Sequence, residues 1–337
     1  MAASRRYSMQ RLRDSRRWSV FDPVDVPNLH DTVGAEFTAA YAAYEASGLA
    51  IRDYDIDVLW AAVVDSQRET GSPFILFQDN INGSSICHLF GVTVLTVLVA
   101  CRRAAARNNE EHLGVVRSAN LCTEIVQFSS PSRPAVCTLA SVSLPACVAD
   151  GGVFDFGRLQ ELVRAVVIST DRCLDVSDYP TSDVASSARA TRALGVGVQE
   201  LADVFMLLNL PFTSMGAREL NVSIFETFYY AALDASCSLA EAHGTYPAWA
   251  GSPASRGVLQ VDMWGVTPSA RHDFSLLRAR IARFGLRNSV ITALMPTAST
   301  SKLLGNFESF EPYTRYLFRC ALYLSARLCP LSLVTLL

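Results

Sequence analysis

Three side chains that could act on a substrate occupy alternate positions in the segment SANLCTEI: Asn120, Cys122 and Glu124. A second thiol, Cys137, follows fifteen residues after the first. A nearby carboxylate raises a thiol pKa, so Cys122 would be a poor ionic nucleophile. The set instead suits a cysteine that loses a hydrogen atom, with the carboxylate as general base. The second thiol would then donate electrons by forming a disulfide.

The elements around these residues must place them together. Residues 120–128 are rich in β-branched side chains, which favours a strand. On a strand the three polar side chains share one face, roughly 7 Å apart, and Leu121 and Thr123 point away from it. Residues 129–134 predict a turn and residues 135–140 a second strand, which would return Cys137 to the same site. From the residues alone, a half-exposed strand whose polar face meets water remains an open alternative.

The rest of the sequence alternates helical and extended patterns, which indicates an α/β fold. Helices are predicted, from apolar spacing and capping residues, over 35–47, over 56–70 after the cap Asp55, over 156–176, from about 199, from Ser214 to Gly244 and over 274–284. Strands are predicted over 73–77, 193–198, 258–264 and 289–295.

The composition argues against several classes of function. A net charge of −3 and a pI near 6.0 give no electrostatic basis for binding nucleic acid or an anionic membrane. The longest apolar run, residues 89–101, is shorter than the ~20 residues that cross a bilayer. Nine cysteines without a secretory signal predict a reducing, cytoplasmic location.

The segments SANLCTEI (118–125) and AVCTLAS (135–141) resemble the large subunit of class I ribonucleotide reductase, of the eukaryotic and viral type. Four longer segments resemble the same family in the same order: LGVGVQELADVFMLLNLPF, FETFYYAALDASCSLA, GSPASRGVLQVDMW and MPTASTSKLLGNFESFEPYT. Residues 9–80 are similar too. The resemblance therefore covers most of the chain and implies part of a ten-stranded α/β barrel, which we expect to be incomplete here.

The resemblance implies a role for each residue of the opening set. Cys122 matches the cysteine that carries a thiyl radical and takes the 3′ hydrogen of the substrate ribose. Glu124 matches the carboxylate that accepts the 3′-hydroxyl proton, and Asn120 the amide that hydrogen-bonds the sugar. Cys137 matches one half of the redox pair that becomes a disulfide, and the family places the other half outside the matched segment.

The segment PTAST matches the loop that holds the substrate diphosphate, which implies that Thr297, Ala298, Ser299 and Thr300 bind phosphate. The local pattern agrees, because a predicted strand ends there and a helix start offers free N–H groups to an anion. An ordinary capped loop is the alternative. If the resemblance holds, these N–H groups should face the same cavity as Glu124.

One other motif, GVGVQE, resembles a dinucleotide-binding fingerprint only in part. The third glycine is absent and no acidic residue follows at the required distance. The reductase family has glycine where Glu200 stands, which predicts altered packing at this position.

The resemblance divides the chain into four parts. Residues 1–84 begin the matching barrel region, 85–109 are an insertion, 110–314 are the catalytic barrel portion and 315–337 are a tail without a counterpart. We expect residues 89–101 to lie outside the barrel. The insertion and the tail together suggest a mis-assembled reading frame, for example a retained intron.

The resemblance further implies reduction of ribonucleoside diphosphates for DNA synthesis. The family has no metal site in this subunit; its partners are a small subunit with a di-metal radical centre, and thioredoxin or glutaredoxin as reductant. ATP and deoxynucleotide effectors bind outside the segment matched here, and the family's homodimer is doubtful for this chain. We expect the chain alone to be inactive. The alternative is a non-catalytic, family-derived protein that binds a partner.

Overall fold

The computed structural model describes residues 2–3, 5–14, 17–82 and 109–313. The predictions for residues 89–101, and for the tail 315–337, lie outside the described residues.

Helices and short strands alternate along the chain, as an α/β fold requires. The strands are β1 (Ala2–Ala3), β2 (Arg17–Val20), β3 (Arg52–Asp55), β4 (Leu76–Phe77), β5 (Thr138–Ser143), β6 (Val148–Ala149), β7 (Val153–Phe154) and β8 (Leu194–Gln199). The helices are α1 (Arg5–Arg13), α2 (Gly34–Ala46), α3 (Ile56–Thr70), α4 (Gln78–Asn82), α5 (Phe156–Val176), α6 (Ser182–Thr191), α7 (Leu201–Leu207), α8 (Met215–His243), α9 (Gln260–Met263), α10 (Phe274–Phe284) and α11 (Thr300–Leu304).

Local capping explains where the main helices begin. The Asp55 side chain accepts a hydrogen bond from the Asp57 N–H, and α3 ends at Gly71 in the left-handed conformation. Asp155 caps α5 in the same way, and Ser214 caps α8. The predicted helices over 35–47, 56–70, 156–176 and 274–284, and the one from Ser214 to Gly244, are thereby confirmed.

The central feature is a parallel pair of strands, β5 and β8, in which Thr138 pairs with Leu194 and Ser143 with Gln199. A single parallel bridge from Val196 to Thr292 adds a third extended segment on the other side of β8. The described residues contain this short parallel sheet and no closed barrel. An incomplete α/β barrel was the expectation from the sequence.

One face of this sheet forms the core with α5 and α8. The α5 side chains Leu159, Val163 and Val167 are fully buried, as are Val196 and Val198 of β8. Burying each such side chain contributes roughly 1.5–3 kcal/mol. The sheet position is therefore set by helix packing on one face, which leaves the other face to carry a site.

The N-terminal residues pack around one tyrosine. Tyr41 of α2 is buried, and its hydroxyl donates to the Ser19 carbonyl at 2.8 Å and accepts from the Ser19 N–H at 2.7 Å. Aromatic rings surround it at centroid distances of 4.9 to 5.7 Å: Tyr7, Trp18, Phe21 and Phe37. Arg117 reaches Asp31, which joins this region to the rest of the chain.

Three predicted strands differ from the structure. Residues 258–264 contain the helix α9, because the Leu259 N–H is capped by the Asp262 carboxylate. Residues 289–295 form no regular strand: they make one bridge to β8, at Thr292, and backbone hydrogen bonds through Val290, Ile291 and Ala293. Residues 73–77 are extended in β4 alone. Apolar runs of this length do not distinguish a strand from a buried helix or loop.

Within the described ranges, none of the helices combines the length and apolar character that crossing a membrane needs.

Candidate functional site

The segment that carries Asn120, Cys122 and Glu124 is a tight turn, so the strand predicted over residues 120–128 is wrong. The Asn120 carbonyl accepts the Thr123 N–H at 3.1 Å, and the Asn120 N–H donates to the Ile125 carbonyl at 3.2 Å. The Asn120 side chain closes the turn by accepting the Ile125 N–H at 3.0 Å. Asparagine competes with strand pairing in this way because its short side chain reaches nearby backbone groups.

The turn does not place the three polar side chains on one strand face. Leu121, which was expected to point away from the polar face, is 82% exposed, and Cys122 is also exposed. Glu124 is half-buried, and its Oε2 atom is buried without a hydrogen-bond partner in the described structure. Glu124 is therefore the member of the set that faces inward.

Cys137 immediately precedes β5 and lies against β8. Its Sγ atom is 2.9 Å from where a Cβ atom on Gly195 would stand, so only glycine leaves room for the thiol. Cys122 and Cys137 are both free thiols. Burial, followed by the negative charges of Glu110 and Glu124, raises the pKa of the Cys137 thiol to about 12.

Residues 114–137, which we call the connecting segment, are tied to the body at several points. The Asn82 side chain donates to the Val116 carbonyl at 2.8 Å and accepts the Val116 N–H at 2.7 Å. Ser130 and Arg133 form the predicted turn, with reciprocal backbone bonds of 2.9 and 3.0 Å. Ser187 donates to the Pro134 carbonyl at 2.7 Å. The connecting segment is thus fixed on both sides of the turn that leads to Cys137.

Glu124 lines a cavity of about 90 Å³ between the connecting segment and the body. The cavity walls are largely apolar, and two further side chains of the lining, Gln127 and Trp264, have buried nitrogen atoms without a hydrogen-bond partner in the described structure. Residues 297–300 do not line this cavity. The structure therefore does not bring the PTAST loop and Glu124 into one cavity, contrary to expectation.

The PTAST loop leads into α11, as predicted. Thr297 adopts a left-handed conformation with φ 54°, and its hydroxyl accepts the Ser309 N–H at 2.8 Å. The Thr300 hydroxyl donates to the Gln199 side chain at 3.0 Å, which places the loop beyond the carboxyl end of β8. In the described structure the backbone N–H groups of Ala298 and Ser299 make no hydrogen bond to protein atoms.

Cys137 and the PTAST loop consequently lie towards opposite ends of the sheet. Cys137 precedes the first residue of β5, whereas the loop meets β8 at its last residue, Gln199. Six strand residues separate these levels, which corresponds to roughly 20 Å.

The described residues hold no group of three histidine, cysteine, aspartate or glutamate side chains arranged to bind a metal ion.

Comparison with known proteins decides the family. The family described as "Ribonucleotide reductase, barrel domain" matches residues 6–321. The chain belongs to this family. It is 43% identical over 311 residues to the ribonucleoside-diphosphate reductase large chain of Schizosaccharomyces pombe, which covers 92% of this chain and 35% of that protein.

Other relatives agree. The large subunit of Caenorhabditis elegans is 43% identical over 310 residues, and that of vaccinia virus is 42% identical over 310 residues. Each alignment covers 92% of this chain, and they cover 36% and 37% of the respective relatives. The chain thus spans about a third of the length of the curated relatives it matches.

Glu200 has an unusual backbone conformation for a glutamate. Glu200 is fully buried at φ 71°, a left-handed conformation that suits the glycine expected at this position. Its carboxylate accepts a hydrogen bond from the Ser143 hydroxyl, across the ends of β5 and β8. Glu200 therefore makes a polar contact between the ends of the two strands.

The sequence analysis did not identify Glu110 as part of the site. This carboxyl is almost completely buried and accepts hydrogen bonds from the Ser289 hydroxyl at 2.7 Å and the Phe128 N–H at 3.2 Å. Its neighbour Glu111 is exposed and pairs with Arg256. Two adjacent glutamates look alike in sequence, so only the fold separates the buried residue from the exposed one.

Proposed function

We propose that the chain forms part of the catalytic barrel of a ribonucleoside-diphosphate reductase large subunit. The observation that carries the proposal is the surroundings of Cys137: a half-buried thiol, packed over Gly195, with its pKa raised to about 12 by burial and by the Glu110 and Glu124 carboxylates. Such a thiol is a weak ionic nucleophile. It is suited to donating a hydrogen atom or an electron with its proton.

In the proposed reaction Cys122, as a thiyl radical, takes the 3′ hydrogen atom of the ribose. Glu124 accepts the 3′-hydroxyl proton, the 2′ hydroxyl takes a proton from the thiol pair and leaves as water, and Asn120 hydrogen-bonds the sugar. Two electrons come from a thiol pair that becomes a disulfide, with Cys137 as one member, and Cys122 then returns the hydrogen atom to C3′. The net change is one ribonucleotide and one dithiol to one deoxyribonucleotide, one disulfide and water.

The PTAST loop is the proposed phosphate site. The N–H groups of Ala298 and Ser299 make no protein hydrogen bond, and the Thr300 side chain holds the loop against β8. Thr297 fixes the other end of the loop through Ser309. A diphosphate would accept hydrogen bonds from these N–H groups.

The proposed partners are a radical-bearing small subunit, which supplies the oxidising equivalent to Cys122, and a dithiol protein that reduces the disulfide. The proposed location is the cytoplasm. We further propose that the insertion begins near residue 85 and ends just before Asn109. The Asn109 side chain bonds the Tyr246 hydroxyl, the Ser289 carbonyl and the Ala254 N–H, which fits a residue of the barrel portion.

A second candidate function is a partner-binding protein without catalysis. The exposed positions of Leu121 and Cys122 favour it, as does the separation of the PTAST loop from the Glu124 cavity. In that case Leu121 and Cys122 contribute to a protein contact and turnover is absent.

The deciding experiment is a chimera with the fission-yeast large chain, in which the matched segment is replaced by residues 9–313 of this chain without residues 86–108. Formation of dCDP from CDP is measured with the yeast small subunit and dithiothreitol. We expect turnover in this chimera, and none when Cys122→Ser is introduced, because a serine O–H bond is too strong for the same hydrogen-atom exchange.

Cys173→Ser is the matched control, since Cys173 is an exposed cysteine on α5 away from the site. It should leave turnover unchanged. A folded chimera that binds the small subunit but makes no dCDP would favour the partner-binding function. Turnover that survives Cys122→Ser would refute the radical role.

A further inference from the structure

Glu110 connects the connecting segment to the sheet. Its two carboxyl oxygens have different partners: Oε1 accepts the Ser289 hydroxyl and Oε2 accepts the Phe128 N–H. Phe128 lies at the start of the arm that turns at residues 130–133 and leads to Cys137. One carboxyl group therefore links Phe128, in the connecting segment, to Ser289, which precedes the extended segment that contains Thr292.

Backbone hydrogen bonds of the sheet extend the link from Ser289 towards the Cys137 thiol. The Val290 carbonyl, next to Ser289, accepts the Leu194 N–H at 2.9 Å. The following residue, Gly195, forms the surface against which the Cys137 sulfur packs. Glu110 is itself held in place, because the neighbouring Asn109 side chain makes three hydrogen bonds to the body.

We propose that Glu110 is a positioning residue for Cys137. Glu110 holds the connecting segment and the sheet edge together and places a carboxylate near the thiol. A role of Glu110 in the redox reaction of Cys137 rests on the proposed function. The lower reactivity that Glu110 gives the Cys137 thiol does not. The ionised carboxylate opposes formation of the Cys137 thiolate, so the thiol resists alkylation and disulfide exchange.

Several charged or titratable groups surround Glu110 and Cys137, and a test of pH dependence must account for them. Cys137 faces Glu110 and Glu124, and burial raises its pKa before either charge acts. Glu110 faces Cys137, the phenol of Tyr246 and the guanidinium of Arg133. Burial raises the pKa of Glu110, and the Ser289 and Phe128 hydrogen bonds and Arg133 lower it. Glu110 therefore changes charge at a higher pH than an exposed glutamate.

The test is the alkylation rate of each cysteine in the whole chain, measured by mass spectrometry of iodoacetamide-labelled peptides between pH 6 and pH 10. Below the pH at which Glu110 ionises, Cys137 in Glu110→Gln should react like the wild type. Its rate should rise to roughly tenfold above the wild type once Glu110 is ionised, since a nearby charge shifts a pKa by about one unit. The pH at which the two curves separate reports the pKa of Glu110.

Three internal references make the result specific. Glu111→Gln removes the adjacent exposed carboxylate and should leave the Cys137 profile unchanged. Exposed Cys173 should react alike in every variant, and buried Cys147 reports any general loosening. Glu110→Asp should restore most of the protection, because it keeps the charge.

Two results would overturn the proposal: equal Cys137 rates in Glu110→Gln and wild type at every pH, or a rise of the same size at all pH values that Cys147 shares. If Glu110→Gln does not fold, the wild-type profile decides. The logarithm of the Cys137 alkylation rate, plotted against pH, should rise less steeply over the pH range in which Glu110 ionises. A straight line over the whole range would contradict the proposal. The alkylation test does not measure deoxynucleotide formation. It can therefore fail while the chimera experiment succeeds, and the chimera experiment can fail while the alkylation test succeeds.

Discussion

The two cysteines proposed to act on a substrate have contrasting surroundings. Cys137 lies at a sheet edge where backbone pairing, a glycine and buried polar groups fix its position. Cys122 lies on an exposed turn that the Asn120 side chain and two backbone hydrogen bonds close. The first position is determined by long-range packing, and the second by contacts within six residues.

This difference indicates which residues a mutation can disturb. Changes in the network behind the sheet edge should alter stability and the Cys137 thiol together. Changes in the turn should alter only the turn, because few described contacts connect its tip to the core.

The largest effect is expected at Arg192, which is 4% exposed and adopts φ 46°. It donates to Asp171 at 3.0 Å and to Asp175 at 2.6 Å, and the next residue, Ala193, accepts the Thr138 N–H beside Cys137. Arg192→Ala removes the hydrogen-bonded cation of buried Asp171 and leaves it only the longer 3.9 Å contact with Arg287, which should cost about 3–5 kcal/mol in urea unfolding. Arg189→Ala, at an exposed position of α6, is the control, and equal losses in both would contradict the network.

A smaller loss is expected from Gly195→Ala. A Cβ atom there would stand 2.5 Å from Leu139 Cδ2 and 2.9 Å from the Cys137 sulfur. Overpacking of this kind costs about 1–3 kcal/mol and should move Cys137, so its alkylation rate should change together with the unfolding midpoint. Gly216→Ala in the first turn of α8 meets only the flexible end of Leu210 and should be nearly neutral.

Acid should weaken the sheet edge selectively. The hydrogen bond from Arg192 holds the pKa of Asp175 below its ordinary value of 3.8. A depressed carboxyl pKa stabilises the fold above the unfolded-state value, and this contribution is lost as the pH falls through the lower folded-state value. Asp175→Asn should therefore flatten the decrease of the unfolding midpoint below about pH 4. Asp178→Asn, an exposed neighbour, should leave the decrease as steep as in the wild type.

The smallest effect on stability is expected in the turn. Asn120→Ala removes the side-chain bond to the Ile125 N–H, which should speed amide exchange at Ile125 while the global free energy of unfolding falls by less than about 1 kcal/mol. Ser118→Ala is the control. A loss as large as that of Arg192→Ala would mean that the turn and the sheet edge form one cooperative unit.

The sequence predicted the elements whose determinants are local. Asp155 and Ser214 cap their helices through bonds to residues three positions ahead, and such spacing is visible in a sequence. The buried strand β8 was also predicted, since its apolar run is short and contains two glycines. The family motifs located the candidate residues themselves, at positions that the fold alone would not single out.

Features that depend on distant contacts were not predicted. The strand predicted after Asn120 failed for a local reason instead, because the asparagine side chain accepts the Ile125 N–H and closes a turn, which the strand preference of β-branched residues does not reveal. Glu110 becomes a buried partner of Cys137 only because Ser289, 179 residues later, lies opposite it. The arrangement of the PTAST loop relative to Glu124 likewise depends on how three separate segments pack.

The parallel pairing of β5 with β8 has a consequence for how the protein forms. Thr138 meets a residue 56 positions later in the chain, and Val196 meets Thr292, 96 positions later, so the contacts that enclose Cys137 have long sequence separation. Contacts of this kind require closing large loops and form slowly. A newly synthesised chain therefore keeps the Cys137 thiol open to solvent and oxidants until its last paired segment has been made, and during this interval a reducing environment preserves the thiol.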